Sequence, residues 1–390
     1  MMSGNRLTFT SAVRTIALLP SLVAAALLAV AAPGDLGAQE GGEPRSLEAL
    51  RLPEDAEIRL DGRVREPVWD RADVATDFLQ QEPREGEPAT ESTEVRVAYD
   101  DENLYIGAVL YDSDPDGVLA YKRKRDAGLG ADDRFMWILD TFLDERTAYF
   151  FEINPAGLMG DGLMGSGFNK SWDGIWEAHV ERGEWGWSAE IRIPFSTLNF
   201  DPDLTRWGIN FQRTVRRKNE EILWEGHRRN QGLFNPTYAG RLTNLTGISQ
   251  GLGLQFRPYG LGTWQREPGA EGDPTDASVD GGFDLSYSLT PGLRAAATVN
   301  TDFAEVEVDQ RRVNLTRFPL FFPEKRDFFL ENSDVYTFAP ANGQRPFFSR
   351  RIGLVEGQEV PIDAGVRLGG QAGDYELGFL QVRTGDSEVQ

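Results

Sequence analysis

Short runs of alternating apolar and polar residues dominate the chain over residues 58–245. In "EVRVAYDDENLYIGAVLY", Val95, Val97 and Tyr99 alternate before a polar turn, and a second apolar run returns. Because successive side chains of a strand point to opposite faces, this pattern predicts a β-hairpin. Further strands are predicted in "DRFMWILDTF", "TAYFFEIN", "WSAEIRIPF", "WGINFQRTV" and "YAGRLTNL". The pattern predicts an all-β fold with an N-terminal β-sandwich, of the jelly-roll or immunoglobulin-like kind, over residues 51–247.

Residues 248–390 are also predicted to form amphipathic hairpins, but of a different kind from those of the sandwich. Phe283, Leu285 and Tyr287 share one face of a predicted strand, and "YELGFLQVR" near the end repeats the pattern. These antiparallel hairpins resemble part of an outer-membrane β-barrel, which predicts a β-rich, membrane-associated domain. Only about five or six strands are predicted, fewer than the eight or so that close a barrel. The region is either a small β-domain or a truncated barrel, and the polar end "GDSEVQ" favours the fragment.

The N-terminus has the order of a secretory signal. Arg6 and Arg14 precede an apolar run over residues 16–32, and small residues follow. We therefore expect residues 1–38 to be a cleaved signal peptide and residues 39–50 an acidic leader. An uncleaved membrane anchor is the alternative, although a proline interrupts the short apolar run. The predicted location is the periplasm or outer membrane of a Gram-negative-type bacterium.

Composition narrows the classes of partner. The formal net charge is -22, and an acidic surface repels phosphate backbones, which argues against nucleic acid. Neutral ligands and cations such as calcium remain compatible with this charge. The chain has no cysteine, so disulfides and thiol chemistry are excluded.

The loop "DSDPDG" places Asp112, Asp114 and Asp116 at alternate positions before a glycine, as in the first half of a calcium loop. The twelfth position, which an EF-hand fills with glutamate, is Arg123, so an EF-hand is excluded. A calcium site of another kind is predicted at the three aspartates. The alternative is a solvated loop that ends a strand.

No motif singles out a catalytic residue. The two histidines, His179 and His227, are far apart in sequence, and neither Glu177 nor Glu190 stands out among 62 acidic residues. "GDGLMGSGFNKS" is neither a P-loop nor a nucleophile elbow and is interpreted as a flexible loop beside a ligand site. A glycoside hydrolase in its own right remains an alternative, because it needs only two suitably spaced carboxylates.

Four tryptophans lie in "SWDGIWEAHVERGEWGWSAEIRIPF". Trp185 and Trp187 share the face of an apolar stripe, so both are expected in the core. Trp172 and Trp176 follow the Gly-rich stretch and are expected to be exposed. An exposed ring can stack on the C–H surface of a pyranose while polar side chains bind the hydroxyls. The predicted carbohydrate-binding residues are Trp172, Trp176, Asp173 and Asn169.

Four segments in order resemble the family 9 carbohydrate-binding module, a β-sandwich found attached to xylanases. They are "IRLDGRVREPVWDRA", "YDDENLYIGAVLYDSDP", "DDRFMWILDTFLDERTAYFFEINPAG" and "GWSAEIRIPFSTLNF". The resemblance covers about residues 50–245. It implies binding of xylan- or cellulose-type polysaccharides or oligosaccharides, a role in carbohydrate breakdown, and bound calcium. In "EPVWDRA", Trp69 matches a structural position and is expected in the core.

The second half is similar to a domain of unknown function that follows such modules in large bacterial outer-membrane proteins. The similarity lies in "VNTDFAEVEVDQRRVNLTRFPLFFPEKRDFFLENSDVYTF" and "PFFSRRIG". It implies contact with the outer membrane. An outer-membrane channel or receptor, with the sandwich as an accessory domain, is therefore a further alternative.

Overall fold

The structure is a computed structural model of the chain. It describes residues 43–385 except 166, 171, 252, 267–274, 291, 302–323, 325, 331–332, 337–346, 356–357 and 373–374. The predicted signal peptide and most of the "VNTDFAEVEV…" segment lie outside the described residues. Among the helices of the described part, none is long and apolar enough to span a bilayer.

Two sheets form the predicted sandwich. The first contains β1 (Ser46–Glu48), β4 (Leu79–Glu82), β7 (Arg134–Asp140), β8 (Ala148–Ile153), β9 (Met159–Met164), β10 (Phe168–Asn169), β13 (Trp207–Val215), β14 (Glu220–Leu223) and β15 (Gly240–Thr243). Its order is β1-β15-β13-β7-β8-β9-β10, with β14 pairing β13 and β4 pairing β14. The second contains β2 (Leu50–Arg51), β3 (Val74–Ala75), β5 (Thr93–Tyr99), β6 (Asn103–Tyr111), β11 (Glu177–Gly183) and β12 (Gly186–Pro194). Its order is β11-β12-β6-β5-β2, with β3 also pairing β5.

A third, open sheet follows the sandwich. Its strands are β16 (Leu254–Arg266), β17 (Thr275–Thr290), β18 (Leu293–Val299), β21 (Ile362–Ala372) and β22 (Tyr375–Thr384), antiparallel in that order. A small hairpin pairs β19 (Leu354–Val355) with β20 (Gln358–Glu359), and α1 spans Asp327–Leu330. Short 3₁₀ turns occupy Trp69–Arg71, Pro115–Gly117, Phe195–Thr197, Arg216–Lys218, Pro236–Tyr238, Ser333–Tyr336 and Ser349–Arg351. The all-β prediction is confirmed, and in the part of the chain described the third sheet is not closed into a barrel.

Aromatic rings fill the space between the two sheets of the sandwich. Trp137 stacks between Phe135, 5.5 Å away between ring centroids, and Phe151, 5.4 Å away. Trp187 and Ile191 reach the same core from β12. These side chains occupy alternate positions of their strands, as the sequence pattern predicts, and bury large apolar areas.

A buried carboxylate attaches the segment before β3 to the outer face of β12. Glu190 accepts hydrogen bonds from the backbone N–H groups of Asp61 and Gly62, both 3.0 Å, and from the indole N–H of Trp69, 3.1 Å. Trp69 is buried, as expected. The bonds join the "LDG" and "VWD" segments to the "AEIRIPF" strand, so Glu190 has a structural role rather than the open position of a catalytic acid.

Two glycines make this attachment sterically feasible. Gly62 has a φ of +86°, and a Cβ there would lie 2.6 Å from the carbonyl carbon of Val180. Gly107, on β6, lies under Trp69, and its Cβ would be 2.9 Å from Val64 Cγ1 and 3.1 Å from the indole ring. The motif glycines therefore mark places where the covering segment approaches the sheet closely.

The third sheet has an unusual distribution of polarity. Leu254, Tyr287 and Phe379 belong to one row of directly paired residues across the sheet and are exposed. On the opposite face, Arg294 and Arg367 are buried. Directly paired residues lie on the same face of a sheet, so the exposed face is mainly apolar and the covered face carries arginines. We call the exposed side the apolar face.

Two sequence interpretations differ from the structure. Residues 39–50, interpreted from the sequence as a leader, contain strand β1. The backbone of β1 pairs with β15 and so extends the nine-stranded sheet. The stretch from Gly160 onward, interpreted as a flexible loop, begins in strand β9, which pairs with β8 along its length. Gly160 and Gly162 of this stretch pack closely against Glu152 and Phe168.

The pKa values of three buried carboxyl groups predict how the free energy of unfolding depends on pH. Burial raises the pKa of Glu190 from 4.5 to about 7, that of Asp161 from 3.8 to about 7, and that of Asp140 from 3.8 to about 6. Between the ordinary and the raised values the folded chain binds more protons than the unfolded chain, so stability falls as pH rises from about 4.5 to about 7. Urea unfolding at a series of pH values measures this slope.

Replacing Glu190 by Gln should flatten part of that slope and lower the unfolding free energy at pH 5 by about 1–3 kcal/mol. An amide has one acceptor oxygen, so either the two backbone N–H groups or the Trp69 indole N–H would lose its acceptor. Glu177→Gln, an exposed change on the paired strand, is the control and should alter neither quantity. An unchanged slope in Glu190→Gln would show that the buried carboxylate is not responsible.

Candidate functional site

The outer face of β7–β10 carries the side chains that do not enter the sandwich core. On β8, Phe150 and Glu152 point outward between the core residues Tyr149, Phe151 and Ile153. Phe150 joins a small outer cluster that also contains Met136, Ile138, Ala148, Met164, Leu223, Leu233 and Ala239. The outer face of the sheet is thus partly apolar.

Three phenylalanines meet on this face. Phe150 is buried beneath Phe168 and Phe234, which are 45% and 53% exposed. The ring centroids of Phe168 and Phe234 are 5.4 Å apart at 81°, and each lies 5.2 Å from Phe150. Phe168 is edge-on to both other rings, and Phe234 stacks on Phe150 at 25°. These contacts fix the rings relative to one another and leave apolar surface open to solvent.

Phe234 reaches the face from the loop between β14 and β15. Gly226 and Gly232 have positive φ values of 60° and 92°, and the N–H of Gly232 donates to the carbonyl of Gly226 at 2.9 Å. Leu233, next to Phe234, is buried in the outer cluster. The loop is therefore closed on itself and anchored beside the exposed ring.

A charged group lies next to the aromatic rings. Glu152 is buried, and its carboxylate contacts Lys170 Nζ at 2.7 Å and Arg134 Nη1 at 3.6 Å. Arg134 Nε also donates to Thr214 Oγ1 at 3.3 Å. We call Phe150, Phe168, Phe234, Glu152, Lys170 and Arg134 the sheet-face site.

The glycines of β9 make room for this site. A Cβ on Gly160 would lie 3.0 Å from Glu152 Cγ, and one on Gly162 would lie 2.9 Å from the ring of Phe168. Any larger residue would displace the carboxylate or the ring. Gly160 and Gly162 carry no side chain and therefore leave room for Glu152 in the polar part of the site and for Phe168 in the aromatic part.

The expectation that Trp172 and Trp176 are exposed is wrong. Trp172 is 8% exposed, with its ring 5.1 Å from that of Tyr149, and Trp176 is 4% exposed, edge-on to Trp137 at 5.6 Å. Both belong to the sandwich core, because the segment before β11 folds over the open end of the aromatic stack. Their assignment as sugar contacts remains a prediction, but neither offers an open ring face.

The predicted residue Asp173 lies in a separate charged cluster. Arg125 Nη2 pairs with Asp173 at 2.6 Å and with buried Asp161, which also accepts the Trp176 indole N–H at 2.6 Å. Burial raises the pKa of Asp161 to about 7 despite the opposing effects of Trp176 and Arg125, and burial also raises the pKa of Asp126. Asn169 lies on β10, between Phe168 and Lys170 of the sheet-face site. The four predicted residues therefore do not form one surface.

The prediction for the other two tryptophans is half right. Trp187 is fully buried in the core. Trp185 is not, because Glu184 and Trp185 are the two turn residues of the β11–β12 hairpin, in which Gly183 pairs with Gly186. Trp185 is half-buried against Tyr111.

Asp112, Asp114 and Asp116 do not fit a calcium ion. Asp112 pairs with Arg217, lies 3.6 Å from Arg213 Nη2, and accepts the backbone N–H of Asp114 at 2.9 Å. Guanidinium groups therefore occupy the position beside the carboxylate that a cation would need. Across the described residues, no group of three or more His, Cys, Asp or Glu side chains could hold a metal. Calcium as a cofactor of the chain stays a prediction.

Sequence reasoning missed the sheet-face site. Phe150 and Glu152 have the same parity in "TAYFFEIN", and Phe168 and Lys170 have the same parity in "FNK", so a shared outer face could have been found from alternation. No local signal marks Phe234, which reaches the site through a loop.

The family described as "Domain of unknown function (DUF5916)" matches residues 251–364. No curated protein matches. Two solved structures of a carbohydrate binding module family 9 (CBM9) from Caldicellulosiruptor kristjanssonii are similar at 18% identity, one in complex with cellotriose and one with glucose. They cover 53% of this chain and 95% and 97% of their own, with TM-scores of 0.39 and 0.38. At this identity and these TM-scores, the likeness carries no functional argument.

The position of Trp176 predicts a structural role for its indole N–H. We expect Trp176→Phe to lower the free energy of unfolding by about 1–3 kcal/mol, because it removes a donor from a buried carboxylate. Urea denaturation followed by circular dichroism measures the change. Trp264→Phe, at an exposed ring on the third sheet, is the matched control. Equal unfolding free energies for the two variants would contradict the assignment.

Proposed function

We propose that the sandwich binds a neutral carbohydrate at the sheet-face site. The observation that carries this proposal is the meeting of two half-exposed aromatic rings, Phe168 and Phe234, with the ion-paired Glu152. The proposal agrees with the family resemblance of the sequence but moves the site away from Trp172 and Trp176.

The aromatic part suits the apolar surface of a sugar ring. Phe168 and Phe234 form a corner whose rings are 81° apart, so one can stack on the C–H face of a pyranose while the other contacts its edge. Burial of this surface supplies affinity without demanding charge on the ligand.

The polar part suits hydroxyl groups. Lys170 and Arg134 are partly exposed and offer donors, and the buried Glu152 carboxylate lies within 4 Å of both and orients them. Sugar hydroxyls accept as well as donate, so these two cationic side chains can bind adjacent hydroxyls. The ion pairs hold the three side chains in place before ligand arrives, which limits the ordering that binding requires.

The wider role we propose is glycan recognition at the cell envelope of the bacterium that exports the protein, in support of polysaccharide breakdown. A β-linked glycan of xylan or cellulose type is the class that the sequence resemblance implies. We assign no turnover to the chain. A glycoside hydrolase remains the alternative, and release of reducing sugar from the same glycans would support it.

Titration of cello- and xylo-oligosaccharides into the protein tests the site. We expect dissociation constants in the micromolar to millimolar range by isothermal titration calorimetry. Phe234→Ala and Phe168→Ala should each weaken binding by about tenfold or more, because each removes stacking surface. Glu152→Gln should weaken it by disrupting the hydrogen-bonding group.

Phe379→Ala is the matched control, since Phe379 is 52% exposed and lies on the third sheet. It should leave affinity unchanged. Binding that survives both Phe168→Ala and Phe234→Ala would exclude this site, and no heat with any sugar from a folded protein would exclude the function.

A second proposal concerns the third sheet, whose apolar face we propose contacts lipid acyl chains. Rows of paired residues such as Leu254–Tyr287 and Phe256–Leu285 extend this face across strands. Soluble proteins seldom expose a contiguous apolar sheet face of this extent. On the covered side, Arg367 lies 5.8 Å from the ring of Phe328, so the polar side chains are turned away from the exposed face.

Flotation with phospholipid vesicles tests membrane contact. The wild-type protein should float with the vesicles, and Phe379→Asp should reduce the floating fraction, since a charged side chain on the lipid-facing side of a sheet is destabilising. Phe234→Asp makes the same change at an equally exposed ring of the sandwich and should float normally. Equal flotation of both variants would place the membrane contact elsewhere or exclude it.

A further inference from the structure

A second cleft lies on the outer face of the six-stranded sheet, on the side of the sandwich opposite the sheet-face site. Its volume is about 260 Å³, and its lining residues are Arg63, Val64, Arg65, Val109, Tyr111, Trp185 and Ser188. The volume is near the lower end of the range for small-molecule sites. The cleft shares no residue with the sheet-face site.

The aromatic wall of the cleft is built by the hairpin turn between β11 and β12. Trp185 is the second of the two turn residues, and its ring lies edge-on to that of Tyr111 with centroids 6.4 Å apart. A Cβ on Gly183 would lie 2.5 Å from the indole nitrogen, so this glycine allows the ring to fold back over its own strand. The ring is thus held at the cleft, although it contributes nothing to the core.

The opposite wall carries positive charge. Arg63 and Arg65 come from the segment that Glu190 attaches to the sheet, and both are exposed. Arg63 is paired with Glu181 at 2.9 Å, so Arg65 is the main source of local positive charge. No carboxylate lines the described part of the cleft, in a chain whose net charge is -22.

We propose that this cleft binds a uronic acid residue of an acidic saccharide. The pyranose ring lies against Trp185 and Tyr111, and its carboxylate pairs with the guanidinium of Arg65. A guanidinium matches a carboxylate bidentately, and an indole offers a broad face to sugar C–H groups. Neither a neutral sugar nor a simple carboxylate uses both walls.

Titration calorimetry of the full chain with D-glucuronate, D-glucose and acetate at low salt tests the proposal. Glucuronate should bind in the millimolar range, at least about tenfold more tightly than either other probe, and more weakly at 0.5 M salt. Arg65→Gln should remove the preference over glucose, and Trp185→Ala should remove the preference over acetate. Arg59→Gln, an exposed arginine in the same segment but outside the cleft, should change nothing.

The result separates this site from the one proposed above. Phe234→Ala should leave glucuronate binding intact, whatever it does to neutral oligosaccharides. The proposal is overturned if Arg65→Gln retains the preference for glucuronate, if Trp185→Ala binds it normally, or if the wild type shows no saturable binding up to about 100 mM.

Discussion

Burial of the Phe135–Trp137–Phe151 stack between two sheets is the constraint on which the rest of the sandwich depends. These rings take every second position of β7 and β8, so the intervening residues must lie on the outer face. Phe150 and Glu152 therefore face outward on β8 as a consequence of core packing. The proposed site is formed on the reverse side of the strands that supply the aromatic core.

The outer faces of the two sheets are covered by different segments, and these segments decide which side chains lie at each face. On the nine-stranded sheet, the glycines of β9 leave room for the buried Glu152 and the half-exposed Phe168. On the six-stranded sheet, Glu190 draws a long segment over β6 and β12, and that segment brings Arg65 to the edge of a cleft. The same sandwich thus presents a mixed polar site on one side and a positively charged one on the other.

Alternation predicted the strands well because it reflects a local geometric rule that tertiary contacts do not alter. It predicted the environment of Trp187 correctly and that of Trp185 incorrectly, although the two share a parity. The strand ends between them, and a turn residue no longer obeys the alternation. Trp172 was misplaced for a related reason, since a segment without regular structure can fold back over the core, and its burial depends on contacts such as Tyr149, distant in sequence.

By itself, the sequence determined the all-β class, the positions of the main strands along the chain and the core position of Trp69. Alternation and turn residues reflect local geometry over a few positions, so they can be read without the tertiary structure. Only the tertiary structure decided which exposed side chains meet. Phe234 joins Phe168 through a loop, and the carboxylate of Asp112 is occupied by arginines from a strand and turn far along the chain. Sites formed by such distant segments depend on how sheets pack, and spacing along the chain carries no record of that packing.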